Sequence, residues 1–222
     1  MTGTEHQTDH ELKVAIIDEL AWTPSIDADK IGVAITDGAV TLSGQVASYP
    51  QKQAAVSAAL RVRGVLAIAD SIIVQDSESA IGDAELAREV EVALERTVVV
   101  PAGSVTATLH DHKITLSGAV AWQYQRRAAQ RAVSSLPGVK QVTNTITLDP
   151  PVTISPTEAH RRITAALVRN ARLDARHIEV AILGTEVRLT GKVTSWAERH
   201  QAEYAGWSTP GVTHVDNQLE II

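Results

Sequence analysis

The sequence predicts an α+β protein of three tandem α-β-β-α-β modules, each a three-stranded mixed sheet with two helices on one face. Three observations carry this. The stretch Val40-Thr41-Leu42-Ser43-Gly44-Gln45-Val46 returns as Ile114-Thr115-Leu116-Ser117-Gly118-Ala119-Val120, and again as Val187-Arg188-Leu189-Thr190-Gly191-Lys192-Val193. The shared glycine thus recurs after 74 and then 73 residues, the mark of an internal repeat. Twenty residues beyond each of these glycines stands a Gly-Val pair, at Gly64, Gly138 and Gly211. Between the markers, apolar residues follow helical spacing in two places and period-two spacing in three.

The modules occupy residues 9–76, 83–149 and 156–222, after a disordered lead at 1–8. The first helix of each carries an apolar stripe. Leu12, Ile16 and Leu20 form it behind Asp9, a candidate N-cap; Leu86, Val90 and Leu94 form it behind Asp83; Ala159, Ile163 and Leu167 form it behind Ser155-Pro156. The first strand alternates: Ile31, Val33, Ile35; Val105, Ala107, Leu109; Ile178, Val180, Ile182. Hairpin turns follow at Asp37-Gly38, Asp111-His112 and Gly184-Thr185.

The repeated stretch is the second strand. Gly44, Gly118 and Gly191 share the face of the large apolar residues, so either a helix backbone crosses closely there or the strand bends. The second helix follows, its inner side built from Ala54, Ala55 and Ala58, then Ala128, Ala129 and Ala132, then Ala202 and Ala205. Ser48 with Gln51 and Ser195 with Glu198 read as capping boxes, whereas module two has Trp122 at the cap and lacks the device. Gly64, Gly138 and Gly211 stop these helices. The last strand carries Val65, Ile68, Ile72 and Val74 and their counterparts. Its connection from the second strand is long enough for a right-handed parallel crossover.

The order apolar-x-Leu-[Ser/Thr]-Gly-x-Val, an alanine-rich helix, then Gly-Val-x-x-Val-x-[Asn/Asp]-x-apolar resembles the BON domain. The last element stands as Gly138-Val139-Lys140-Gln141-Val142-Thr143-Asn144-Thr145-Ile146, and as Gly211-Val212-Thr213-His214-Val215-Asp216-Asn217-Gln218-Leu219. Module one departs from it with Ala67 before Ile68 and Asp70 in place of the Asn. The resemblance implies a bacterial, stress-associated and transport-associated binding protein without catalytic residues, attaching to phospholipid or the cell envelope. Its better-known members are periplasmic with two copies, whereas this chain has three and shows no leader, so it reads as cytoplasmic unless a signal peptide has been removed.

Composition narrows the chemistry. Modules of about 65 residues bury only about 60% of their unfolded surface, so they are expected to pack on each other or on further copies. There is no Cys, which excludes disulfides, thiol nucleophiles and Cys-ligated zinc. A net charge of −6 disfavours unspecific binding to nucleic acid or to anionic lipid. Residues 9–76 hold nine acids against five Lys/Arg, while 83–149 balance seven against seven and 157–222 eight against eight, so any basic surface must lie in the second or third module. No stretch is apolar enough to span a membrane.

No G-x-S-x-G, H-E-x-x-H, Walker or G-x-G-x-x-G motif stands in the chain, and neither an enzyme nor a cofactor is expected. His110 and His112 flank Asp111 but find no third ligand in the sequence and fall in a turn facing solvent, so no metal is expected either. The lipid candidates are Trp122, Tyr124, Arg126, Arg127 and Arg131, with Arg161 and Arg162, then Arg169, Arg172 and Arg176, as a second patch. The bland reading is a solvated helix face paired with acids such as Glu198 and Glu203. Asp70, Asn144 and Asn217 are expected to bond backbone at the last strand. Tyr49, Trp122 and Trp196 mark a recurring aromatic contact, consistent with the alternative reading of a protein–protein assembly module or homo-oligomer.

Overall fold

In a computed structural model of the chain, residues 8–75, 81–152, 154–170 and 175–222 are described. The lead at 1–7 and most of the first linker lie outside them. The chain divides into two compact units. One comprises Met1–Gln75 with Thr194–Ala197 and Ile221–Ile222; the other comprises Asp76–Val193 and Glu198–Glu220.

The first module runs α1 (Asp9–Ala21), β1 (Ile31–Thr36), β2 (Ala39–Val46), α2 (Tyr49–Arg61) and β3 (Ala67–Val74). β2 is central, antiparallel to β1 and parallel to β3. Leu12, Ile16 and Leu20 of α1 are buried with Val40, Leu42 and Val46 of β2 and Ala55, Ala58 and Ala59 of α2. α1 packs on β1 and α2, and α2 packs on β2 and β3, so both helices cover one face as the alternation predicts. In the same unit, the Trp196 indole N–H donates to the Val65 carbonyl at 2.9 Å.

The second module repeats this with α3 (Asp83–Arg96), β4 (Val105–His110), β5 (Lys113–Val120), α4 (Gln123–Ser134), β6 (Gln141–Asn144) and β7 (Thr147–Leu148). Its last strand is in two pieces, against the single strand expected, and both pair parallel with β5 in one register. The third has α5 (Pro156–Arg169), β8 (Ile178–Leu183), β9 (Glu186–Val193), α6 (Trp196–Trp207) and β10 (His214–Ile221), with β9 central.

The strand glycine is explained by the neighbouring strand, not by a crossing helix. Gly44, Gly118 and Gly191 have φ of +125°, +123° and +119°, a region that L-residues rarely adopt. A Cβ at each would overlap a backbone carbonyl at the entry to the preceding strand, that of Lys30, Ser104 or His177. The strand bends there and its partner closes over the bend. Gly64, Gly138 and Gly211 follow the second helices with φ of +91°, +84° and +81°, turning the chain toward the last strand.

Asp9 and Asp83 are not N-caps. Thr8 caps α1, its side chain and that of Glu11 forming a reciprocal capping box, and Gly82 precedes α3. Each aspartate instead clamps a hairpin turn 28 residues away. Asp9 accepts from the N–H groups of Asp37 (2.9 Å) and Gly38 (3.1 Å). Asp83 accepts from Asp111 (2.9 Å) and His112 (3.1 Å). All four of these turn residues have positive φ, as a type I′ hairpin requires. Module three has Pro156 in the clamp position, and only Gly184 of its turn has positive φ.

Candidate functional site

The α4 residues proposed for binding separate into three environments. Tyr124, Arg127 and Arg131 are exposed and lie at i, i+3 and i+7 along one side of the helix. Trp122, at the N-cap, is half-buried. Arg126 is half-buried and does not belong to the exposed set. Burial, and then the charge of Arg127 beside it, pull its pKa below the ordinary value, while Glu203 acts the other way. Its backbone carbonyl receives the Asn144 side-chain amide at 3.1 Å. Glu203, one of the acids in the bland reading, thus acts on Arg126, while Arg127 and Arg131 form no ion pair among the described residues.

Trp122 cannot accept a bond as serine does, yet half of the capping device survives. Gln125 Oε1 accepts the Trp122 backbone N–H at 3.0 Å, and its Nε2 donates to the Val99 carbonyl at 3.0 Å. Gln125 is buried, which a helix-start glutamine at the S-x-x-Q position could have announced.

The α5 patch is largely answered on its own helix. Arg161 donates to both Glu158 oxygens, at 2.8 Å and 2.6 Å, and Arg162 donates to one at 2.7 Å. These bonds hold the Glu158 carboxyl down at about 2 and raise Arg161. Arg169 is exposed, Arg176 has partners of its own, and Arg172 lies outside the described residues.

Asp70, Asn144 and Asn217 behave as one device. Each accepts from the N–H two residues on, at 3.0 Å, 3.1 Å and 3.3 Å. Asn144 and Asn217 also donate to the carbonyls of Arg126 and Arg199, in the second helices. Asp70 has no proton to donate and pairs with Lys52 at 3.2 Å instead.

His110 is exposed, as a turn suggests, but His112 is not. Its side chain is 17% exposed, Nδ1 is buried without a hydrogen-bond partner, and Nε2 lies 3.8 Å from Asp83. Among the described residues no group of three or more His, Cys, Asp or Glu could hold a metal ion. No helix among them is long and apolar enough to cross a membrane.

The model of the BON domain matches residues 8–76, 82–150 and 157–222. The chain belongs to the BON domain family. Osmotically-inducible protein Y of Escherichia coli (strain K12) is 31% identical over 139 residues, which are 60% of this chain and 67% of that protein. Two solved structures of CdsD, a structural protein of the type III secretion system of Chlamydia trachomatis, align at TM-score 0.28. One is 14% identical, covering 96% of this chain and 92% of that one. The other, the C-terminal domain, is 13% identical and covers 100% of both.

With the BON repeats in register, the exposed side of the second helix can be compared position by position. Module one places Pro50, Gln53 and Ser57 there, module two Tyr124, Arg127 and Arg131, and module three Ala197, His200 and Tyr204. Two arginines at these positions are a property of the second BON repeat alone.

Proposed function

We propose that this BON protein is a non-enzymatic, stress-associated chain that attaches to anionic phospholipid surfaces through its second module. The exposed Tyr124–Arg127–Arg131 side of α4 carries the proposal. An arginine near an anionic leaflet contributes about 1 kcal/mol, and an exposed tyrosine suits the headgroup level. Arg161 and Arg162 contribute less, because Glu158 already occupies them. Trp122 supports the patch from the helix start. The association with stress follows from the name of the osmotically-inducible relative. The test is co-sedimentation with vesicles of phosphatidylcholine, with and without phosphatidylglycerol, across a salt series. Retention by the anionic vesicles alone, weakened by salt, is the expected result; equal recovery in the supernatant at every salt concentration would remove the proposal.

A second reading, assembly through the sheets, is favoured by the open face of module one. Ala34, Thr36, Thr41, Ser43, Ser71 and Ile73 are exposed there, and none is charged, so nothing on that face opposes close approach by another sheet. In module three the same face carries the Arg188–Asp216 pair at 2.9 Å. A molar mass by light scattering above that of one chain would favour this reading.

A further inference from the structure

Near the start of α4 stands an exposed apolar feature that its cations do not explain. The segment after α3 carries Val98 at 96% exposure and Val99 at 46%. Its base is fixed. Val100 is buried and donates its N–H to the Thr97 carbonyl at 2.8 Å. Thr97 Oγ1 donates to the Ala93 carbonyl at 2.7 Å, and Ser104 Oγ to that of Pro101 at 2.6 Å. Anchored at both ends, the segment holds Val98 out in water, where burial would be favourable.

Gln125 ties this segment to α4. One side-chain amide accepts from the Trp122 N–H and donates to the Val99 carbonyl, each at 3.0 Å. Two such bonds across one amide keep the two backbones within roughly 8 Å of each other. At 1.5 Å per residue, Arg127 and Arg131 follow about 8 and 14 Å further along the helix from Trp122. The sequence of surfaces is aliphatic, then aromatic, then basic. A bilayer presents acyl chains, headgroup boundary and anionic phosphate in the same order from inside outward.

We infer that Val98 and Val99 enter the acyl boundary of an anionic bilayer, with Trp122 and Tyr124 at the headgroup level and Arg127 and Arg131 on the lipid phosphates. This rests on the lipid reading above and adds to it an insertion point. Charge complementarity selects the occupant. The chain carries −6 overall and would be repelled by an acidic membrane; Arg127 and Arg131, exposed on α4, oppose that repulsion in this module, against the exposed Glu91 and Glu95 of α3. Module one is the internal contrast. Its corresponding turn has Pro24 and Ser25 in place of the valines, and the arginine on the exposed side of α2, Arg61, is already paired with Glu19 at 2.7 Å.

The chain has no Cys, so Val98→Cys gives a single attachment point for an environment-sensitive fluorophore. The full chain labelled there is mixed with vesicles of equimolar phosphatidylglycerol and phosphatidylcholine. The expected result is a blue-shifted emission, quenched by lipid spin-labelled near the top of the acyl chain, with no shift for a label at Ser57→Cys. A label at position 98 that stays in water on protein that does bind overturns the insertion and leaves the lipid reading standing. Protein that binds no vesicle overturns both. As an unlabelled check, the V98D/V99D double variant should partition roughly tenfold less onto these vesicles, with its urea midpoint unchanged; undiminished partitioning would contradict the inference.

Discussion

Helix α2 shows solvent Pro50, Gln53 and Ser57 where α4 shows Tyr124, Arg127 and Arg131. Beneath those faces the two modules are held by the same parts. An aspartate at the start of the first helix clamps the hairpin turn in both. A positive-φ glycine bends the central strand in both. A short polar residue on the last strand accepts the N–H two positions on in both. The repeat is thus maintained at a few backbone-determining positions, and the exposed side of the second helix is free to differ. Module three shows that even the clamp is dispensable: Pro156 replaces the aspartate, and the positive φ at the second turn residue disappears with it.

If the shared parts are what hold each module, breaking one should cost similar stability in both. Gly118→Ala forces a side chain into the positive-φ region and against the Ser104 carbonyl, and it should destabilise by about 3 kcal/mol or more. Gly44→Ala should match it, both read from urea unfolding. A large loss at one position with none at the other would separate the modules. A smaller effect sharpens the contrast at the last strand. Asn144→Asp removes the donor to the Arg126 carbonyl and sets a carboxylate against it, costing about 1–3 kcal/mol. Asp70→Asn only exchanges a partly exposed ion pair with Lys52, and it should change stability by less than about 1 kcal/mol.

The fold was legible because its determinants are spaced and repeated. The stripe Leu12, Ile16, Leu20 and the alternation around Leu42 and Leu116 place the elements directly, and these residues are buried. What pattern could not reveal was the partner of each polar group. Asp9 looked like a cap because it stands at the start of a helix; its clamp to Asp37 and Gly38 depends on tertiary approach across 28 residues. The signal was present, since Asp83 stands the same distance before Asp111. Arg126 and Arg127 look equivalent in sequence, but helical phase half-buries one, where the Glu203 charge reaches it, and leaves the other in solvent. Val98, Val99 and Val100 are three identical residues in a row, and only the fixed turn shows that Val100 is the one that goes inside.

The central claim is that module two carries the membrane surface on a skeleton it shares with module one. Matched charge changes test it most directly: R127E/R131E in α4 against Q53E/S57E in α2, each measured for partitioning onto anionic vesicles and for its urea midpoint. The account predicts that the α4 pair lowers partitioning by roughly thirtyfold or more, at about 1 kcal/mol for each arginine lost from the surface. The α2 pair should lower it far less, and neither midpoint should move appreciably. Equal losses from the two pairs would mean that net charge alone governs binding, and would contradict the assignment of the surface to module two.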